Sequence, residues 1–236
     1  MKRIVLTHRL ETIALLCDGA RVAADIGCDH GRLSCALIKQ YGVKKVLASD
    51  ISEISVQKTR TLAAKCGIGE NELTAVRRDG LIGLSCGDAD TLVISGMGGE
   101  LIADIIDRNK PLALSCERII MQPQRGVEEL RAYLRANGFA ICDERVIYDG
   151  GRYYQILCAA KGKEKVVLDY YPNDFLLVGQ MAAVNSPDML MRYLRHRLHG
   201  TKKRLVSANS KKNPPTELIR QAQEIENVIS ILEERL

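Results

Sequence analysis

The chain has 236 residues, of which 46% are hydrophobic and 27% charged, and its formal net charge is +5. No apolar run reaches the length of a membrane span, and the N-terminus lacks the apolar core of a signal peptide, so we expect a cytoplasmic protein that binds no membrane. The eight cysteines are spread singly, without a C-x-x-C pair, which argues against a metal site and a disulfide framework. The length suits one well-cored domain with an appendage.

Apolar runs rich in β-branched residues alternate with helical patterns through residue 160. The predicted strands are Arg21–Ile26, Lys45–Asp50, Leu73–Arg77, Asp90–Ser95, Glu117–Gln122, Phe139–Tyr148 and Tyr153–Ala160. The predicted helices are Thr7–Cys17, Arg32–Tyr41, Glu53–Cys66, Glu100–Arg108 and Gly126–Asn137. Such alternation predicts an α/β fold in which helices cover both faces of a parallel sheet. Only the turn-forming residues Asp149–Arg152 join the last two strands, so a hairpin should make the final strand antiparallel.

From Tyr171 onward the pattern is helical without strands. Apolar positions recur at helical spacing in two series, one from Leu176 to Leu205 and one from Leu218 to Leu236. The segment Lys211–Pro215 separates them, and its prolines interrupt a continuous helix. Two heptad-like stripes joined by a short loop predict an antiparallel, coiled-coil-like helical hairpin. We therefore expect an α/β domain over residues 1–162 and a helical hairpin over residues 163–236.

Acidic residues and glycines follow the predicted strands, at the edge where parallel sheets bind ligands. The first strand ends near Asp25, and Gly27 then lets the backbone pass close beneath a ligand. Asp50 ends the second strand about twenty residues later, where a carboxylate can take the hydroxyls of a ribose or help to cap the next helix. Asp79 and Gly80 follow the third strand and form either an adenine contact or an ordinary turn.

The fourth predicted strand ends in Ser95–Gly99, which contains three glycines. They give a flat base room to approach a reacting group, although they also suit a simple tight turn. Gln122, Pro123 and Gln124 close the fifth strand and either add polar contacts to that base or begin a loop. Asp29 and His30, after the first strand, either act on the ligand or cap the next helix. We interpret His30 as a hydrogen-bonding partner of Asp29 rather than as a metal ligand.

Positive charge is concentrated near the C-terminus. Residues 189–212 contain eight Lys and Arg and no acidic residue, whereas residues 1–160 are nearly neutral. A block of one charge sign without acidic neighbours suits a polyphosphate such as RNA, and the alternative is a solvated helix face. Four of these residues are candidates for RNA contact: Arg192, Arg195, Lys202 and Lys203.

The chain resembles the class I S-adenosylmethionine-dependent methyltransferases, in which five or more parallel strands are closed by one antiparallel hairpin. Within that class it is similar over its whole length to the bacterial tRNA (adenine-22-N1)-methyltransferase family. This resemblance rests on five segments: Asp25–His30, Ser95–Gly99, Gln122–Pro123, Asn137–Phe139 and Tyr153–Tyr154. It implies a Rossmann-like seven-stranded sheet with an antiparallel final strand, and methylation of N1 of an adenine in the tRNA D-arm.

The resemblance also implies where S-adenosylmethionine binds. We expect the cofactor to contact residues at or just beyond the ends of the first four strands: Asp25, Gly27, Asp29, His30, Asp50, Ile51, Asp79, Gly80, Ser95, Gly96 and Met97. Asp29 replaces the middle glycine of the usual class I loop and must tolerate unusual backbone angles, which short polar residues do. Its carboxylate is our candidate catalytic group, because the methylated adenine is cationic and a nearby carboxylate can stabilise that charge or take a proton. Cys28 stands where family members often have Ser.

The base itself is expected at the ends of the fourth and fifth strands, at Gly98, Gly99, Gln122 and Pro123. Exocyclic-amine methyltransferases usually carry Asn-Pro-Pro-aromatic after the fourth strand, and its absence here suits an endocyclic nitrogen, whose in-plane lone pair needs no rehybridisation. The expected partner is tRNA, with no obligate protein partner and no metal. Two other functions stay open: a class I methyltransferase acting on a small molecule or protein, and a non-catalytic RNA-binding module.

Overall fold

The computed structural model describes residues 3–209 and 216–235. In these residues seven strands form one sheet: β1 (Val22–Ile26), β2 (Lys45–Asp50), β3 (Leu73–Arg77), β4 (Thr91–Met97), β5 (Arg118–Pro123), β6 (Phe139–Asp149) and β7 (Arg152–Lys161). The helices of the same residues are α1 (His8–Leu16), α2 (Arg32–Tyr41), α3 (Glu53–Lys65), α4 (Gly99–Arg108), α5 (Lys110–Ser115), α6 (Val127–Ala136), α7 (Gln180–Asn185), α8 (Pro187–Asn209) and α9 (Thr216–Glu233). Every predicted strand is present, with ends within two residues of the prediction, which confirms the α/β alternation.

The strand order is β3-β2-β1-β4-β5-β7-β6. Strands β1 to β5 run parallel, and β7 is antiparallel to both β5 and β6, which confirms the predicted hairpin. Gly150 and Gly151 form its turn with φ values of 55° and 82°, the backbone region that two-residue hairpins need and glycine favours. The order of the strands reverses between β1 and β4, and at such a switch point the loops diverge and leave a crevice.

Two apolar layers hold the sheet between helices. Helices α1, α2 and α3 cover one face, and α4, α5 and α6 cover the other. Side chains alternate along β4, where Val93 packs into the first layer while Leu92 and Ile94 pack into the second. Helix α5 has no counterpart among the predicted helices, because six residues with a proline in the first turn give too short a pattern.

The C-terminal helices form a third apolar cluster, which includes residues of the β6–β7 hairpin. The first apolar series is divided, because α7 ends at Asn185 and a proline, Pro187, begins α8. Helices α8 and α9 pack side by side in opposite directions, which confirms the helical hairpin. The predicted break at Lys211–Pro215 and the terminal Leu236 lie outside the described residues. Within the described ranges, no helix combines the length and apolar character needed to span a bilayer.

Buried polar side chains fasten this C-terminal part to the sheet. Arg131 of α6 and Glu144 of β6 form a fully buried ion pair, with 2.6 Å between Nη2 and Oε1. Arg131 Nε donates to the carbonyl of Leu176 at 3.0 Å, and Glu144 accepts from the N–H of Gly179 at 2.9 Å. These contacts cross the expected boundary between residues 1–162 and 163–236, and that division stays a prediction.

Candidate active site

A cavity of about 820 Å³ opens at the carboxyl ends of the parallel strands, on both sides of the β1–β4 switch point. Sites for small molecules typically have roughly 300–1,000 Å³. Every residue predicted to bind the cofactor lines this cavity, so the fold brings together residues from positions 25–30, 50–51, 79–80 and 95–97. Their contacts with a ligand stay a prediction.

The loop after β1 has an unusual backbone. Asp29 is the one residue other than glycine with a positive φ in the described part of the chain, at 48°. The N-cap of α2 is Gly31, without a side-chain cap, so the capping alternative for Asp29 and His30 is wrong. Both side chains are exposed, and His30 Nε2 lies 3.4 Å from Asp29 Oδ1. The described residues contain no group of three or more His, Cys, Asp or Glu placed to hold a metal ion.

The carboxylate of Asp50 joins the first loop to the second. Its Oδ2 accepts from the N–H of Asp29 at 3.1 Å, and its Oδ1 accepts from the N–H of Ser52 at 2.9 Å. Ser52 itself caps α3 by accepting from the N–H of Ser55 at 3.3 Å. An ionised carboxylate has about four lone-pair sites, so Asp50 keeps acceptor capacity toward the cavity.

Asp25 is buried at the base of the cavity. Its Oδ2 accepts from Ser34 Oγ at 2.5 Å. Burial raises the pKa of Asp25 to about 6, the Ser34 hydrogen bond acts in the opposite direction, and the negative charge of Asp50 adds to the rise. A fraction of Asp25 is therefore protonated at mildly acidic pH.

The third strand end is held by an ion pair. Arg108 of α4 contacts Asp79 Oδ2 at 3.1 Å and Asp104 Oδ2 at 2.6 Å. Gly80 has a φ of 56°, and a Cβ there would lie 3.2 Å from a methyl of Ile105. The turn is thus glycine-dependent, while Asp79 still lines the cavity.

Gln124, just beyond the fifth strand, lines the cavity, whereas several other lining residues were missed by sequence reasoning: Arg9, Leu10, Arg32 and Arg78. Arg9 is held by three groups. Its Nη1 donates to Gln122 Oε1 at 2.6 Å, its backbone N–H donates to Asp149 Oδ2 at 3.1 Å, and its guanidinium lies 5.5 Å from the ring centre of Tyr154. The sequence around Arg9 contains no motif that predicts this position, because contacts with residues distant in the chain bring α1 to the cavity.

Four residues expected to contact the base do not line the cavity: Gly98, Gly99, Gln122 and Pro123. Gln122 is fully buried, and its Nε2 donates to the carbonyl of Pro123 at 2.7 Å. Its Oε1 accepts from Arg9 and from Gln124, so its effect on the cavity runs through these two side chains. Gly99 packs against the β5–α6 loop, where a Cβ would come within 1.9 Å of the carbonyl oxygen of Gly126. Gly98 precedes it without lining the cavity.

The basic run on α8 has acidic partners that come from other helices. Arg195 pairs with Glu233 of α9 at 2.8 Å, and Lys202 pairs with Glu226 of α9 at 2.6 Å. Arg197 pairs with Glu128 of α6 at 3.6 Å. Within the described part of the run, three side chains form no ion pair: Arg192, Lys203 and Arg204, the last of which donates to Thr201 Oγ1 at 3.2 Å. Lys211 and Lys212 lie outside those residues. The absence of acidic partners therefore holds along the sequence but not in the fold.

Known proteins resemble this chain in sequence and in structure. Residues 6–157 match the family described as "Methyltransferase domain". A Bacillus subtilis protein, "tRNA (adenine(22)-N(1))-methyltransferase", is 32% identical over 170 residues, covering 72% of this chain and 71% of that protein. The structure of the B. subtilis m1A22 tRNA methyltransferase has a TM-score of 0.75 at 25% identity and covers 98% of both chains. A Streptococcus pneumoniae protein in complex with S-adenosyl-L-methionine shares the fold, with a TM-score of 0.82 at 22% identity, covering 95% of this chain and 100% of that one.

Proposed function

The chain belongs to the tRNA (adenine(22)-N(1))-methyltransferase family, and from this premise we propose that it transfers a methyl group from S-adenosylmethionine to N1 of adenine 22 in the D-arm of tRNA. The observation that carries the proposal is the cavity at the switch point. It combines a glycine-containing loop, the Asp50 carboxylate at the end of β2 and an open backbone at Gly96. This combination suits a nucleoside cofactor beside a flat acceptor.

The charges and shape of the cavity fit S-adenosylmethionine, which supplies an electrophilic methyl group on a positively charged sulfonium. Four carboxylates line the cavity: Asp25, Asp29, Asp50 and Asp79. Arg9, Arg32 and Arg78 line the same cavity, so it offers both acceptors for the positive groups and donors for the carboxylate of S-adenosylmethionine. Gly27 and Gly80 line the cavity with positive φ values, the backbone conformation that glycine favours.

Asp50 provides a direct test of cofactor binding. Replacing it in Asp50→Ala removes the acceptor proposed for the ribose hydroxyls and should weaken S-adenosylmethionine binding by about 1–3 kcal/mol, which titration calorimetry measures. Asp18→Ala is the matched control, because Asp18 is exposed and outside the cavity. Unchanged affinity in Asp50→Ala would remove this carboxylate from the cofactor site.

The acceptor base is proposed to enter at Ser95, Gly96 and Met97. Gly96 has a φ of 80°, and a Cβ there would meet only Arg9 Nη1 within 4 Å, at 3.8 Å, so the backbone is open to a flat ring. The lone pair of adenine N1 lies in the ring plane and attacks in line without rehybridisation. Holding the two reactants in this geometry supplies much of the acceleration.

Asp29 is the proposed catalytic residue, because its exposed carboxylate lies in the cavity and the methylated adenine carries a positive charge. Asp29→Asn and Asp29→Gly both tolerate its positive φ, so they remove the carboxylate while preserving the loop. Each should lower kcat by ~10²–10⁴-fold with nearly unchanged affinity for S-adenosylmethionine. Asp29→Ala, which strains the loop, serves as the comparison. Wild-type kcat in the Asn and Gly variants would reduce Asp29 to a loop residue.

The function itself is tested by incubating the protein with transcribed tRNAs and S-adenosylmethionine and mapping methylated bases by mass spectrometry. We expect 1-methyladenosine at position 22, and its loss when that adenine is replaced by guanine. Methyl transfer to a small molecule or protein but not to tRNA would favour the first alternative function. Failure to bind S-adenosylmethionine in calorimetry would favour the non-catalytic RNA-binding module.

We further propose that the α8–α9 hairpin contributes to RNA binding and that the enzyme acts in the cytoplasm, where tRNA is modified, without an obligate protein partner. The cations that support RNA binding are Arg192 and Lys203, which have no ion pair among the described residues. Arg195 and Lys202 contribute less, because each already faces a carboxylate of α9.

A further inference from the structure

A second cavity, of about 520 Å³, lies between the N-terminal segment, α2 and α3. We call it the basic cleft and define it by Arg3, Arg32, Lys39, Leu62 and Lys65, which line it. The N-terminal segment is fixed in place by backbone hydrogen bonds to one α2 side chain, at 2.7 and 3.2 Å. The cleft is therefore a built groove rather than a gap beside a loose end.

The lining of the basic cleft carries one sign of charge. Four of its eight lining residues are Lys or Arg, and none is acidic. Arg32 and Lys65 form no side-chain hydrogen bond or ion pair with any described residue. Lys39 Nζ donates to a backbone carbonyl at 3.0 Å, and Arg3 has only an exposed pair with Glu11 at 3.4 Å. Cations gathered without carboxylates repel one another, so the cleft favours an anion.

The basic cleft adjoins the active-site cavity, because Arg32 lines both. Arg32 and Lys39 stand at the two ends of α2 on the cleft side, about 10 Å apart along the helix axis at 1.5 Å per residue. A single phosphate or carboxylate does not span that distance. The spacing fits a polyanion that leaves the active site and runs along the groove.

We propose that the basic cleft binds the phosphate backbone of the tRNA next to the nucleotide being methylated, so that the RNA surface extends over α2 and α3. This proposal rests on the tRNA-methylating function above. RNA is favoured over an acidic protein segment because the groove begins at the cavity that is proposed to receive an RNA base. Each phosphate contact then contributes a salt-dependent term by counterion release.

The test uses the full-length protein and the double variant Arg3→Glu/Lys65→Glu, which leaves the shared Arg32 intact. We expect tRNA affinity to fall by about tenfold or more at low salt, and the slope of log Kd against log salt to decrease by about 1–2. S-adenosylmethionine affinity should not change. The matched control is Lys161→Glu/Lys163→Glu, an identical change of charge on exposed residues at the far side of the sheet. This control should keep the wild-type tRNA affinity and the wild-type salt slope.

The neutral variant Arg3→Gln/Lys65→Gln keeps the proposal falsifiable if the reversed charges impair folding, and we expect a smaller change in the same direction. Wild-type tRNA affinity and salt slope in both cleft variants would overturn the proposal, and that is the result if the cleft holds an acidic protein segment. Failure of the proposed function is a separate result, because wild-type protein would then transfer no methyl group to tRNA.

Discussion

The buried carboxyl group of Asp25 should make the stability of the protein depend on pH. Burial raises its pKa from 3.8 to about 6 in the folded protein. At about 1.4 kcal/mol for each pH unit between the two values, ionising Asp25 inside the fold costs about 3 kcal/mol. As pH rises, Asp25 ionises in the unfolded chain at a lower pH than in the folded protein, which favours unfolding. The contribution of Asp25 to the stability of the folded protein relative to the unfolded chain is therefore greatest below pH 3.8, and about 3 kcal/mol of it is lost as pH rises through 6.

Asp25→Asn removes this titration and keeps an oxygen that can accept from Ser34 Oγ. The difference in unfolding free energy between the variant and the wild type should shift in favour of the variant by about 1–2 kcal/mol from pH 5 to pH 7.5. Urea unfolding at both pH values measures it. Asp18→Asn, the same change at an exposed aspartate, is the control. A pH-independent difference for Asp25→Asn would refute the reasoning.

Two further predictions concern packing. Arg131→Met leaves the buried carboxylate of Glu144 without its cation and should cost about 3–5 kcal/mol in urea unfolding. The double variant Arg131→Met/Glu144→Leu should recover part of that loss, because it removes the unpaired charge but leaves the N–H of Gly179 without its acceptor, and equal losses in both would contradict the argument. Gly99→Ala places a Cβ 1.9 Å from the carbonyl oxygen of Gly126 and should lower stability by about 1–3 kcal/mol or more. Gly98→Ala is its control, since its nearest neighbour would be a side-chain atom at 3.6 Å, and a similar loss there would show that the clash is not the cause.

The sheet and the cofactor edge could be predicted because their determinants are local. A buried parallel strand needs a run of apolar residues, and the residues at its carboxyl end or just beyond it lie at the ligand edge whatever the rest of the chain does. Asp25, Asp50 and Asp79 follow this rule and line one cavity. The positive φ of Asp29 was also accessible from the sequence, because the residue stands where a glycine is usual.

The acceptor side of the site depends on contacts between distant segments and could not be predicted in the same way. Arg9 reaches the cavity because Gln122, Asp149 and Tyr154 hold it, and these lie more than 110 residues away in the chain. Glycine motifs are ambiguous for a related reason. Gly96 opens the cavity, while Gly99 three residues later serves close backbone packing, and only the fold distinguishes the two uses.

Charge in the sequence and charge in the fold also lead to different expectations for RNA binding. An exposed ion pair contributes only about 0–1 kcal/mol, so a phosphate can displace the carboxylate that faces Arg195 or Lys202. The displaced carboxylate stays nearby and repels the phosphate, so such a cation contributes less net attraction than an unpaired one. Lys65 in the basic cleft forms no ion pair among the described residues, and neither do Arg192 and Lys203 of α8. The salt dependence of tRNA binding should therefore arise mainly from the unpaired cations of the basic cleft and of α8, and less from Arg195 and Lys202.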